Sequence, residues 1–189
     1  MIKEKTALLL VDLQKEHMPG GALEMLGSEY ASQQAARLVA HWKDNNWPIF
    51  ALGREIDNAY VPFFKKGSDG ALLCEGLSET DFCKVFHRET ASVVDLEDFF
   101  KLINELGIQS IVVCGMPIDS SILSFVIEAN RRNYTCEVAF DACATRDLVF
   151  KNVKVDAANI QCVVLAAIES NFAKVSSVEE IMSRSDNFA

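Results

Sequence analysis

Short apolar runs alternate with stretches of helical periodicity along the whole chain. TALLLVD (6–12) is apolar up to its last residue, the pattern of a strand covered on both faces. Residues 31–45 predict a helix, with Ala35, Leu38, Val39 and Trp42 at i, i+3, i+4 and i+7. PIFALGR (48–54) predicts a second strand and DFCKVFHR (81–88) a third. A helix over 95–106 carries Leu96, Phe99, Phe100 and Ile103 on one face, and Gly107 marks its end. SIVVCG (110–115) is a fourth strand, and the helix after it has Ile122, Phe125, Val126 and Ala129 as its apolar stripe. TCEVAFD (135–141) predicts a fifth strand, 151–170 a long helix, AKVSS (173–177) a sixth strand, and a short helix starts at Val178. Strands separated by covering helices need crossover connections, so the pattern predicts a three-layer α/β architecture around a mainly parallel sheet.

In such sheets ligands collect beyond the carboxyl ends of the strands. The residues expected there are Asp12, Arg54, Arg88, Gly115 and Asp141. A carboxylate, two guanidinium groups and a glycine-led turn at one rim outline a polar pocket.

Composition narrows the function. The 189 residues fit one domain spanning 1–189, without an internal repeat or linker. The formal net charge is −9, and an acidic surface repels phosphate backbones, so nucleic acid is not expected as a partner. No apolar stretch approaches the roughly 20 residues that span a bilayer, and the opening MIKEKTALLLVD lacks a cleavage site for a signal peptide. Six cysteines show neither CxxC nor framework spacing, which points to reduced thiols in a cytoplasmic protein.

Asp12 closes an apolar strand, where a partly desolvated carboxyl suits either acid or base catalysis, or else caps a turn or pairs with a structural Arg. Lys84, Phe86 and Arg88 alternate and share a face of the third strand, so one of the two cations could reach Asp12 and orient an anionic substrate. Asp119, Ser120 and Ser121 stand where a helix begins; N-capping is their plainest role, and the free N–H groups there could also hold an oxyanion. A serine nucleophile needs an adjacent base, and only Asp12 is available for that. His17, His41 and His87 form no metal-ligand spacing, so neither a metal nor another cofactor is expected.

Taken together, ALLLVDLQKEHMPGGAL and GMPIDSSILSFVIEANRRNYTCEVAFDACATRD resemble the isochorismatase-like hydrolase superfamily of isochorismatases, nicotinamidases and N-carbamoylsarcosine amidase. The resemblance runs over nearly the whole chain. It implies a parallel six-stranded, Rossmann-like sheet with helices on both faces, usually in an oligomer. Asp12 falls on the family's acid/base aspartate, and Arg88 falls on its lysine when no gap is allowed. Lys84 is the alternative cation. Ser121 falls on the family's cysteine nucleophile, and Ile118, next to Pro117, falls on its threonine. Gln14, Gly115, Pro117 and Ile118 are the implied substrate-binding positions. GREIDNAYVPFF (53–64), where nicotinamidases carry metal-binding histidines, has none, which argues against that activity. Its exposed aromatics would suit a contact between subunits.

Cysteine thioester chemistry is therefore not expected. The isochorismatase branch resembles this chain in needing no cysteine: its aspartate protonates an enol ether and water adds to the cation. The expected function is cofactor-free hydrolysis of a small anionic molecule through Asp12, with Arg88 or Lys84 on a substrate carboxylate and Ser121 positioning water. A degenerate member that binds a small molecule or partner without turnover, and a serine-dependent amidase or esterase, are the alternatives.

Overall fold

The computed structural model describes residues 5–58, 60–90 and 96–186. Six parallel strands, β1 (Thr6–Val11), β2 (Ile49–Arg54), β3 (Lys84–Arg88), β4 (Ser110–Gly115), β5 (Thr135–Cys143) and β8 (Lys174–Ser176), form one sheet in the order β3-β2-β1-β4-β5-β8. Helices α1 (Ser28–Asp44) and α5 (Val178–Asp186) cover one face; α2 (Glu97–Glu105), α3 (Leu123–Arg131) and α4 (Ala157–Asn171) cover the other. This is the predicted three-layer α/β fold.

The continuous apolar run of β1 has a direct cause in this layering. Ala7, Leu9 and Val11 pack with Phe50, Phe99, Ile103 and Phe125 on one face, while Leu8 and Leu10 pack with Leu38, Trp42 and Ile181 on the other. A central strand with period-two exposure has no solvated face, so no polar residue is admitted until the strand ends at Asp12. On the α2–α3 side Phe99 meets Phe50, Phe86, Phe100 and Phe125 edge-on at 5.3–5.8 Å between centroids.

Three elements differ from their sequence patterns. The expected helix over 151–170 begins only at Ala157. The residues before it form an antiparallel hairpin of β6 (Leu148–Phe150) and β7 (Val153–Val155). Here Val149, Val153 and Val155 favour extended backbone, and Lys151, at φ 52°, makes the tight turn. Asp147, on the near side of the hairpin, accepts from the Ala157 N–H at 2.9 Å and so starts α4. The third strand is shorter than 81–88, because Glu79–Asp81 is a helical turn closed by a Ser78 capping box. The fifth runs two residues past Asp141 and carries an irregularity opposite Val113–Gly115. Residue 95, where the second helix was expected to start, and Ala59 of the AYVPFF stretch lie outside the described residues. In that same stretch Tyr60 is 96% exposed but Phe64 is fully buried, so the expected exposure of its aromatics fails at Phe64, whose ring packs against His17 and Arg54.

Candidate active site

Three strands and one turn bring Asp12, Arg88 and Ser121 into contact at the carboxyl end of the sheet. Arg88 closes β3 and lays its guanidinium flat against Asp12, with Nη1 to Oδ1 at 2.6 Å and Nη2 to Oδ2 at 2.7 Å. Ser121 Oγ donates to Asp12 Oδ2 at 2.8 Å, and Arg88 Nη2 also reaches that oxygen of Ser121 at 3.2 Å. Asp12 and Ser121 are 0% exposed and Arg88 is 7% exposed. A bidentate fork fixes the plane of a carboxylate as well as its position. Both oxygens of Asp12 are thus aimed, and one of them faces a hydroxyl.

Local backbone explains how the parts meet. Asp12 has φ 51°, a left-handed conformation that Asp tolerates better than most residues. It turns the side chain back over the sheet rim while its N–H stays on Leu52 O at 2.8 Å. Gly115 ends β4 at φ 130°, and a Cβ there would lie 1.9 Å from Val11 O. Only glycine allows this close approach of β4 to β1. The Met116–Pro117 peptide is cis, and Ile118–Ile122 then forms a wide π-type turn ahead of α3. That turn presents Ser121 to Asp12, so the expected N-cap role fails: the trio sits within the turn. Asp119 bonds the Thr145 hydroxyl, and Pro117 holds the cap position without a side-chain bond.

The remaining candidates are not brought into this centre. Lys84 sits at the opposite end of β3, exposed, with its ammonium 4.6 Å from the Phe86 ring, so Arg88 is the cation that meets Asp12. Gln14 is buried and its amide is committed to backbone: Oε1 accepts from Arg54 N at 2.7 Å and Nε2 donates to Arg54 O at 2.8 Å and Ala71 O at 2.6 Å. It fixes the end of β2 instead of offering a free amide. Ile118 points into the core and its N–H bonds Ala144 O at 3.0 Å. Pro117 is half-buried in the turn. Asp141, expected at the rim, accepts from Val178 N at 2.8 Å and anchors the start of α5.

No sequence pattern places His17 near these residues. It is 1% exposed, its Nδ1 lies 2.9 Å from Leu23 O, and its ring meets the Phe64 ring edge-on at 5.0 Å between centroids. Burial lowers its pKa; the Leu23 bond and the charge of Asp12 oppose that shift, and Arg54 and Arg146 add to it. The stabilisation this gives is complete above the ordinary value of 6.5. It is lost as the pH falls through the lower folded value, because the unfolded chain takes up a proton that the buried ring resists. Urea melts between about pH 7.5 and about pH 5 are expected to show a decline in wild type that is shallower in His17→Phe. Arg54 lies beside Asp12 and Arg88, with burial lowering its pKa; its guanidinium carbon is 4.7 Å from the Phe64 ring centroid. Glu16 ties this corner together, accepting from Ala22 N and Phe64 N at 2.9 Å each.

Among the described residues no group of three His, Cys, Asp or Glu side chains could hold a metal ion, and no helix is long and apolar enough to cross a membrane.

Asp12, Arg88 and Ser121 form a polar centre next to a glycine turn at the carboxyl rim of a parallel α/β sheet, the end at which such sheets collect ligands. The chain belongs to the isochorismatase family: residues 6–180 match the Isochorismatase domain. YddQ of Bacillus subtilis (strain 168), an uncharacterised isochorismatase family protein, is 28% identical over 177 residues, covering 94% of this chain and 98% of its own. A protein of Oleispira antarctica assigned to the isochorismatase hydrolases superposes with a TM-score of 0.90 at 28% identity, over 97% of this chain and 98% of its own. An isochorismatase from Pseudomonas putida KT2440 gives 0.87 at 26% identity, over 94% and 90%.

Proposed function

We propose that the protein is an isochorismatase-family hydrolase that acts on a small anionic substrate through proton transfer at Asp12, without a cysteine nucleophile. The observation that carries this reading is the 2.8 Å hydrogen bond from Ser121 Oγ to Asp12 Oδ2, held in register by the Arg88 fork. As a base, Asp12 takes the proton of the water that adds to the carbonyl carbon of an amide or ester, then gives it to the nitrogen or oxygen that leaves as the tetrahedral adduct breaks. As an acid, Asp12 in its protonated form delivers that proton to the carbon of an enol ether; water adds to the resulting cation and returns a proton to the carboxylate, and the adduct splits into a carbonyl and an alcohol. Ser121 positions the water in either case. Its hydroxyl stands where the resemblance puts the family's cysteine. Burial pushes the Cys143 thiol up to about 12 and the Cys114 thiol well above its ordinary value, which favours inert structural thiols over nucleophiles. The Pseudomonas putida relative is named an isochorismatase, so isochorismate heads the substrate panel.

The same hydrogen bond favours a second reading, in which Ser121 is the nucleophile and Asp12 its base. Ser121→Ala separates the two. A positioning role predicts a loss in kcat of about 10–100-fold with measurable turnover remaining, smaller than the loss of a general acid or base. A nucleophile role predicts complete loss, and a covalent adduct on the wild-type chain in intact-mass spectra under turnover.

A further inference from the structure

Arg88 was expected to hold a substrate carboxylate, yet both of its Nη groups are occupied by Asp12. The neighbouring cation is differently placed. Arg54 ends β2 directly across from Arg88 in the sheet register. It forms no ion pair among the described residues, whereas Arg88 does; Nη2 has one long contact, 3.4 Å to Glu89 O, and the buried Nε, like that of Arg88, has no partner. Phe64 and Phe63 pack against the guanidinium, their ring centroids 4.7 and 5.8 Å from its carbon.

His17 lies against the same Phe64 ring. Leu23 O can only accept, so Nδ1 carries the proton in that bond. The other nitrogen of the neutral ring, Nε2, is then an acceptor, and it is buried without a partner. Buried polar atoms are rarely left unmatched in a folded chain. Here an unmatched donor and an unmatched acceptor flank one aromatic ring within the electrostatic reach of Asp12.

We propose that Arg54 and His17 are the recognition residues of the Asp12 site, Arg54 taking a ligand carboxylate and His17 Nε2 accepting from a hydroxyl or N–H on the same molecule. The ligand class is a small carboxylic acid that carries a second, donating group. This rests on reading the Asp12 centre as a small-anion site but needs no turnover. Failure of catalysis and failure of recognition are therefore separately visible.

The test is calorimetric titration of the full chain with 3-hydroxybenzoate, benzoate and 3-hydroxybenzamide, which separate charge from donor. Wild type is expected to prefer the hydroxy acid to its amide by at least about tenfold, the scale of one charge-assisted hydrogen bond. It is expected to prefer the hydroxy acid to benzoate by about threefold to tenfold. Arg54→Gln removes the first preference, and His17→Phe, which keeps an aromatic ring against Phe64, removes only the second. Equal affinity for acid and amide in wild type overturns the proposal without recourse to any variant. So does wild-type affinity in Arg54→Gln. No saturable binding of any probe leaves water as the occupant of these atoms and also overturns it.

Discussion

Arg88→Leu lowers the stability of the folded chain by about 3–5 kcal/mol, the usual consequence of removing one partner from a buried ion pair. The loss is large because Asp12 remains at 0% exposure with its two guanidinium bonds gone. Ser121 alone cannot replace them. Most of the loss comes from the stranded carboxylate, so it is recovered when that charge is also removed. The double variant Asp12→Asn/Arg88→Leu is expected to regain at least half of the stability lost by Arg88→Leu, read as the shift of the urea midpoint at unchanged slope. Asparagine is the right partner because it tolerates the left-handed backbone at position 12. A single variant as stable as wild type would mean that Asp12 finds another partner.

Asp12→Asn alone has its main effect on rate. The amide keeps the shape of the side chain and one oxygen for Arg88, but it accepts no proton at neutral pH. Its NH2 also turns toward either the guanidinium or the Ser121 hydroxyl. Hydrolysis is expected to fall by about 10²–10⁴-fold, the range associated with a positioned general acid or base. The loss belongs in kcat. Binding through Arg54 and His17 persists, since neither side chain is hydrogen-bonded to Asp12, although removing its negative charge alters the local field. A variant that loses affinity in proportion to rate would instead give Asp12 a binding role.

The sequence exposes those parts of the fold in which one physical constraint dominates. β1 is legible because a strand buried on both faces excludes polar residues over its whole length, and Asp12 is legible because it breaks that rule at the rim. The hairpin at 148–155 is hidden because each of its strands is only three residues long, too short for an alternation to register, and Val153–Val155 run almost directly into α4. Its turn is built on Lys151 at positive φ without a glycine to mark it. In the site, Arg88 and Ser121 lie 76 and 109 residues from Asp12. Only the strand order brings them together; Arg88 is legible by its place at a strand end, and Ser121 through the resemblance that sets it on the family's cysteine. Gln14 enters the candidate site only through the family resemblance, and hydrogen bonds to Arg54 and Ala71 use both ends of its amide. His17 gave no signal: a lone histidine in a turn after a strand has no periodicity. Its burial depends on Phe64, 47 residues further on, which no local pattern reveals.

The most direct measurement is consumption of isochorismate, with a panel of small carboxylic amides and esters beside it, by purified wild type and by Asp12→Asn of matched thermal stability. The expected result is saturable turnover of at least one compound by wild type, reduced by about 10²-fold or more in the asparagine variant. Folded wild type that consumes none of them, or an asparagine variant as fast as wild type, contradicts hydrolysis through Asp12.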